Sequence, residues 1–250
     1  MDWEREWERL NPYQREAVTD ENKACLVSAN VGSGKTTVLT AKILYLHEVK
    51  HVSYRDMVVL TFTNKAASEI RERLVRADPS VTPEETENFG TFHGVALGLL
   101  KKSLPVETLG YTKDFMVMEP DEELELELAH ALIAEKKLKI KYKNRLRKRL
   151  AEAERVSAAG DFGVAGGQDD LEILAGLLTE EKLRRNKMTF SDLMKNACLL
   201  MAKEEGEEER SADIQWVIVD EVQDCDGKQL EFIDCFMAEG SCLRLEIPIR

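Results

Sequence analysis

Two glycines, a lysine and a threonine stand close together in Ala29-Asn30-Val31-Gly32-Ser33-Gly34-Lys35-Thr36. Glycine reaches positive φ at little cost, so a loop of this kind can turn successive backbone N–H groups toward one point, where phosphate oxygens bind. Lys35 is then placed to reach β- and γ-phosphates, and the Thr36 hydroxyl to ligate Mg²⁺. An apolar run, Cys25 to Ala29, leads into the segment, and a helical pattern through Val38, Leu39, Ile43 and Leu46 leads out of it. A helix that starts at the loop adds the positive end of its dipole to the anion site.

A second constellation is Asp220-Glu221, directly after the apolar run Trp216-Val217-Ile218-Val219. A buried parallel strand would deliver both carboxylates to its carboxyl end, the edge where open α/β sheets bind ligands. Asp220 would hold Mg²⁺ through water, and Glu221 would orient and deprotonate an attacking water. An apolar strand ending in Asp-Glu is common by itself; with a phosphate loop upstream it reads as the acidic half of a nucleotide site.

Such groups need a scaffold, and the sequence offers short apolar strands alternating with helices. Cys25 to Ala29, Met57 to Phe62 and Trp216 to Val219 predict buried parallel strands. Ala66, Ala67, Ile70 and Leu74 predict a helix after the second. This order predicts an α/β fold with right-handed crossovers. The middle of the chain differs: Asp121 to Lys137, Tyr142 to Val156, Leu171 to Leu178 and Phe190 to Met201 carry helical patterns, with a glycine-rich loop from Gly160 to Gly167. The predicted organisation is a sheet domain over 1–94, a helical insertion over 95–210 and the return of the sheet over 211–250.

The net charge is −12 over 250 residues, but its distribution is uneven. Acid gathers at Glu119 to Glu127 and Glu204 to Glu209, whereas Lys136, Lys137, Lys139, Lys141, Lys143, Arg145, Arg147, Lys148 and Arg149 put nine cations into fourteen residues. Such a run can follow a nucleic-acid backbone, or it can be a solvated face paired with glutamates. Five scattered cysteines, without a close CxxC-type pair, point to reduced thiols. No apolar run reaches the roughly 18 residues of a membrane span, and the acidic start of the chain is unlike a signal peptide. The expectation is a cytoplasmic protein with no membrane partner.

The motifs together resemble UvrD/Rep-type superfamily 1 DNA helicases. Ala29 to Thr36 resembles the AxxGxGKT form of motif I, and Asp220-Glu221-Val222-Gln223-Asp224 the DExQD form of motif II. Leu10 to Val18 resembles the upstream motif whose glutamine, here Gln14, reads the adenine edge. Leu60 to Ala67 resembles motif Ia, and Gly90-Thr91-Phe92-His93-Gly94 resembles motif Ib. Thr189 to Leu193 resembles a short signature that precedes motif II. The resemblance implies a RecA-like parallel sheet flanked by helices, with the helical block as an inserted accessory domain. It implies ATP and Mg²⁺ as cofactors and single-stranded DNA, or a single/double-strand junction, as partner. Gln14, Ala29, Asn30, Val31, Gly32, Ser33, Gly34, Lys35, Thr36 and Thr37 would bind nucleotide; Thr36 and Asp220 would hold the metal. Lys35, Glu221 and Gln223 would be catalytic, while Phe62, Thr63, Asn64, Thr91 and His93 would contact DNA.

The end of the chain departs from the pattern. A strand with a G-D-P-x-Q motif should follow Gly240, but the sequence reads Leu243 to Arg250. Suitable codons for that tail spell A-I-G-D-P-N-Q in a neighbouring frame, so a frameshift with truncation is one explanation. The expectations are a missing strand, a poorly covered sheet edge, and a chain that binds ATP-Mg and single-stranded DNA without unwinding by itself. The whole family member would be an ATP-dependent 3′-to-5′ DNA helicase. The rivals are an inactive nucleotide- and DNA-binding fragment and, less well matched, another P-loop phosphotransferase.

Overall fold

The computed structural model describes residues 3–22, 24–28, 34–118, 121–140, 145–146, 148–150, 170–204, 214–237 and 242–247. Ala29 to Ser33 of the phosphate loop, Lys141, Lys143 and Arg147 of the basic run, and most of the helix expected over Tyr142 to Val156 lie outside the described residues.

The chain divides into two compact units, Met1–Pro105 with Met194–Arg250, and Val106–Leu193. In the first, helices α1 (Trp3–Glu8) and α2 (Pro12–Thr19) precede β1 (Ala24–Ser28) and α3 (Lys35–Glu48). Then come β2 (Met57–Thr61), α4 (Asn64–Ala77), β3 (Phe89–Thr91) and α5 (Phe92–Lys102). The second contains β4 (Met116–Val117), α6 (Asp121–Lys136), α7 (Asp170–Arg184) and β5 (Lys187–Met188). Helix α8 (Phe190–Glu204) carries the chain back to β6 (Trp216–Val219), α9 (Gly227–Asp234) and β7 (Cys242–Ile247).

The sheet order is β1-β7-β6-β2-β3, and every pairing is parallel. Strands β2 and β6 are buried at each residue, as expected of runs covered on both faces. Parallel neighbours cannot be joined by a tight hairpin, so helices lie between them in sequence. One packed cluster joins Ile43, Leu44 and Leu46 of α3, Met57 and Val59 of β2, Ile70 and Leu74 of α4, Phe89 of β3 and Ile218 of β6.

Helix α3 is buried from Val38 through Leu46, including Lys42 at 0% exposure. The Lys42 ammonium donates to the Asp20 carbonyl at 2.6 Å and lies 4.5 Å from the Trp216 ring centroid, so its buried charge is compensated. This contact ties the C-cap of α2 to the interior of α3. Because the strands are parallel, their carboxyl ends share one edge. The segments after β1, β2, β3 and β6 are the four that carry the phosphate loop, Phe62, His93 and Asp220.

The end of the chain corrects the expectation of a lost strand and a bare sheet edge. Cys242–Ile247 forms β7, seated between β1 and β6 with Leu26 opposite Leu245 and Val217 opposite Leu243. A parallel ladder is made by backbone N–H and C=O groups, so a run without the G-D-P-x-Q motif can still supply an inner strand.

The second unit packs Leu128, Ala129, Leu132 and Ile133 of α6 against Leu171, Leu174 and Leu178 of α7, together with Ile140, Leu146 and Leu150. Its β4 and β5 form a two-residue parallel pair. Lys182, 2% exposed, is held by Glu125 at 3.2 Å and Asp192 at 2.9 Å.

Candidate functional site

Four helices of the first unit begin with a side-chain cap. Asn11 caps α2, Thr63 caps α4, Thr91 caps α5 and Asp226 caps α9, each accepting from first-turn backbone N–H groups. Helix α3 instead has Gly34 as its N-cap, at φ of +84°, with no side-chain cap among the described residues. A 14-residue helix thus presents its first-turn N–H groups uncapped, next to Lys35. An anion at that point would meet both the donors and the dipole.

Gly34 also admits the neighbouring helix. A Cβ at this position would lie 3.1 Å from Nε2 of Gln14, so the absent side chain is what lets the Gln14 amide approach the start of α3. The Gln14 carbonyl oxygen accepts from the Asn11 N–H at 2.9 Å within the capping box of α2. One amide therefore both closes the helix cap and lies beside the phosphate-loop glycine.

Across the site, the Lys35 ammonium forms an ion pair with Glu221. Gln223 donates from Nε2 to the same carboxylate at 2.6 Å and to Asp224 at 3.2 Å. Burial opposes ionisation of Glu221, but the bonds from Lys35 and Gln223 outweigh it and hold its pKa below the usual carboxylate value. Asp220 shifts the other way: burial, then the adjacent Glu221 charge, raise its pKa despite Lys35. Glu221 itself has φ of +54°, an uncommon conformation for a non-glycine residue. The two adjacent carboxylates are thereby shifted in opposite directions, Glu221 down by its bonds to Lys35 and Gln223 and Asp220 up by burial. A divalent cation at Asp220 would supply what that carboxylate lacks.

Of the other residues expected to bind nucleotide, Thr36 and Thr37 are half-buried in the first turn of α3. The Thr37 hydroxyl accepts from Arg73 Nη1 at 3.1 Å, and Arg73 also pairs with Glu69. Arg73 was not foreseen from the sequence; it lies on α4, and nothing in local spacing links it to Thr37.

On the neighbouring strand ends, Phe62 is 37% exposed and its ring centroid lies 5.5 Å from that of buried Phe92. Thr63 and Asn64 are exposed, and Thr91 and His93 are half-buried. The Thr63 and Thr91 hydroxyls accept from Ala66 N and Gly94 N at 3.1 Å each. Each hydroxyl keeps its own proton for donation. The register pairs Thr61 with Thr91, which sets the Phe62 and His93 segments side by side. In the basic run, Lys136, Lys137, Lys139, Arg145 and Lys148 are exposed; Lys136 pairs with Glu135.

The UvrD/REP helicase N-terminal domain family matches residues 10–245. The ATP-dependent DNA helicase Rep of Salmonella typhimurium is 29% identical over 92% of this chain and 34% of its own length. Rep of Escherichia coli is 31% identical over 90% of this chain and 34% of its own length. The ATP-dependent DNA helicase PcrA of Bacillus subtilis is 30% identical over 88% of this chain and 30% of its own length. The chain spans about a third of the length of these relatives. With its parallel sheet and helicase motifs in order along that span, the chain belongs to the UvrD/REP helicase N-terminal domain family.

Proposed function

We propose that this chain is the ATP- and DNA-binding front of a UvrD-type 3′-to-5′ DNA helicase, with 1–94 and 211–250 as the first RecA-like domain and 95–210 as its inserted accessory domain. The observation that carries the reading is the Lys35–Glu221 pair, which brings the uncapped start of α3 to the two carboxylates after β6. The residues fit ATP-Mg: phosphates at the α3 N-terminus, Lys35 as their charged donor, Thr36 and Asp220 as metal ligands, and Gln14 on the adenine side. The bound metal would supply charge to the phosphates when present. The chain's own part is to hold the nucleotide, release Lys35 from Glu221 toward phosphate, and use the freed Glu221 carboxylate to accept a proton from water.

Phe62 offers an exposed ring for base stacking, and Thr63, Asn64, Thr91 and His93 polar groups for the strand beside it. The exposed cations from Lys136 onward would bind further phosphates, and binding to a single/double-strand junction follows the same family reading. The deciding measurement is ATP hydrolysis with and without single-stranded DNA, alongside nucleotide and DNA binding. Stimulation by DNA supports the motor-domain reading. Binding of both ligands without stimulation favours a binding fragment, and phosphate transfer to a small acceptor favours another P-loop enzyme.

A further inference from the structure

The far end of α3 holds a cluster that the nucleotide and DNA readings do not use. His47 and Glu48 lie in its last turn, and Asp78 is the C-cap of α4. From Lys35 to His47 the helix rises about 18 Å, at roughly 1.5 Å per residue, so this cluster is separate from the nucleotide loop. A ring nitrogen of His47 and one carboxylate oxygen each from Glu48 and Asp78 lie within 4.8 Å of one another.

Each residue has a lone pair to offer. His47 Nδ1 lies 3.0 Å from the Val52 carbonyl oxygen, which can only accept, so Nδ1 carries the hydrogen of that bond and Nε2 is the nitrogen through which the ring could ligate. The ring is stacked on Tyr54, with centroids 4.0 Å apart. Asp78 is 2% exposed; its Oδ1 accepts from Ser80 N and Oγ, while Oδ2 has Tyr54 Oη at 3.4 Å. Glu48 Oε1 is buried and, among the described residues, has no hydrogen-bond partner. No lysine or arginine forms an ion pair with Glu48 or Asp78 among the described residues. Two carboxylates and an imidazole are therefore gathered with no lysine or arginine ion-paired to them among the described residues, and a buried carboxylate oxygen without a hydrogen bond costs free energy unless a partner is supplied.

We propose that His47, Glu48 and Asp78 hold a divalent ion of the zinc class, joining the C-terminal ends of α3 and α4. An imidazole with two carboxylates suits zinc or cobalt better than magnesium, which takes oxygen ligands and keeps several waters. With bonds of about 2.0–2.2 Å the donors would close to roughly 3.4 Å apart on binding. The hydrogen bond to Val52 orients the ring, as outer hydrogen bonds do in protein zinc sites.

The test uses the full chain, stripped with a chelator and titrated with Co²⁺ and then Zn²⁺. One equivalent should bind, with cobalt d–d absorption but no thiolate charge-transfer absorption, which separates this site from the cysteines. Excess Mg²⁺ should not displace it. His47→Gln and Glu48→Gln should each weaken binding by roughly 100-fold or more, exceeding the 10–100-fold effect of removing an outer hydrogen bond, with the far-UV circular dichroism unchanged. If His47→Gln disturbs the fold, Glu48→Gln alone decides. Absence of stoichiometric binding, thiolate bands, or wild-type affinity in Glu48→Gln would overturn the assignment.

Discussion

The Lys35 ammonium and the Glu221 carboxylate form an ion pair across 186 positions of sequence. The pair joins the first turn of α3 to the turn after β6. On the proposed reading, a nucleotide at the start of α3 would have to compete with Glu221 for Lys35, because one ammonium would be shared between carboxylate and phosphate.

That competition sets the first prediction. Lys35→Ala should weaken ATP binding by about 10- to 100-fold, the equivalent of one charge-assisted hydrogen bond. Glu221→Gln should bind ATP at least as tightly as wild type, since Lys35 loses its rival, while hydrolysis falls by about 10²-fold or more. Fluorescent-nucleotide titration with steady-state phosphate release measures both. Equal affinity in wild type and Lys35→Ala would remove Lys35 from the site.

Gly34→Ala should be costly out of proportion to one methyl group. At φ of +84° an alanine is strained by about 1–2 kcal/mol, and its Cβ would press on Gln14 Nε2 from 3.1 Å. The melting midpoint should fall, and discrimination of ATP over GTP should weaken as the Gln14 amide is displaced. Retained stability and selectivity would show that the glycine is not needed there.

Asp220 gives a pH-dependent prediction. Its folded pKa is raised, chiefly by burial and then by Glu221, so the folded state binds the proton more tightly than the unfolded state. Its contribution therefore favours the fold at low pH and is lost as pH rises from the unfolded carboxylate value through the raised one. Glu221, with a lowered folded pKa, contributes in the opposite sense: its stabilisation is present above the unfolded value and lost as pH falls through the folded one. Asp220→Asn removes only the first effect. Without Mg²⁺ it should raise the melting midpoint at neutral pH by on the order of 1–3 °C and leave it unchanged at pH well below the carboxylate range. A lower midpoint at neutral pH would contradict the burial argument.

On the proposed reading, DNA binding would separate into stacking and charge. Phe62→Ala should cost about 1–3 kcal/mol per stacked base with little change in salt dependence. Reversal of Lys139, Arg145 and Lys148 should instead flatten the logarithmic salt slope by roughly 0.7 for each phosphate no longer neutralised. Single-strand binding measured by anisotropy over a range of salt distinguishes the two. An unchanged slope in the triple variant would return these cations to a solvated face.

Lys182 tests the second unit. Lys182 is 2% exposed and its ammonium is shared by Glu125 and Asp192, so Lys182→Ala strands two carboxylates. Loss of one member of a buried pair destabilises by about 3–5 kcal/mol, whereas Lys182→Met with Glu125→Gln and Asp192→Asn should recover most of it. Chemical denaturation of the variants measures the difference; a Lys182→Ala midpoint equal to wild type would make the cluster incidental.

Local pattern in the amino-acid sequence was sufficient to place β1, β2 and β6 within a residue, because strands buried on both faces leave an unmistakable composition. The order of Gln14, Lys35, Phe62, His93 and Asp220-Glu221 along the chain was enough to indicate the family, since motifs are contiguous stretches. Features that depend on residues far apart in sequence emerged only in the folded molecule. Parallel pairing put the motif-bearing strand ends on one edge, and Cys242–Ile247 entered the sheet because a backbone ladder needs compatible geometry and no particular motif. The Lys35–Glu221 pair, the Gln14 amide beside Gly34 and the Arg73 bond to Thr37 each join segments that no periodicity relates. Likewise, His47 and Glu48 meet Asp78 only because α3 and α4 pack on the same sheet. Side-chain chemistry was readable one residue at a time; which side chains share a charge follows from the packing that brings them within a few ångströms.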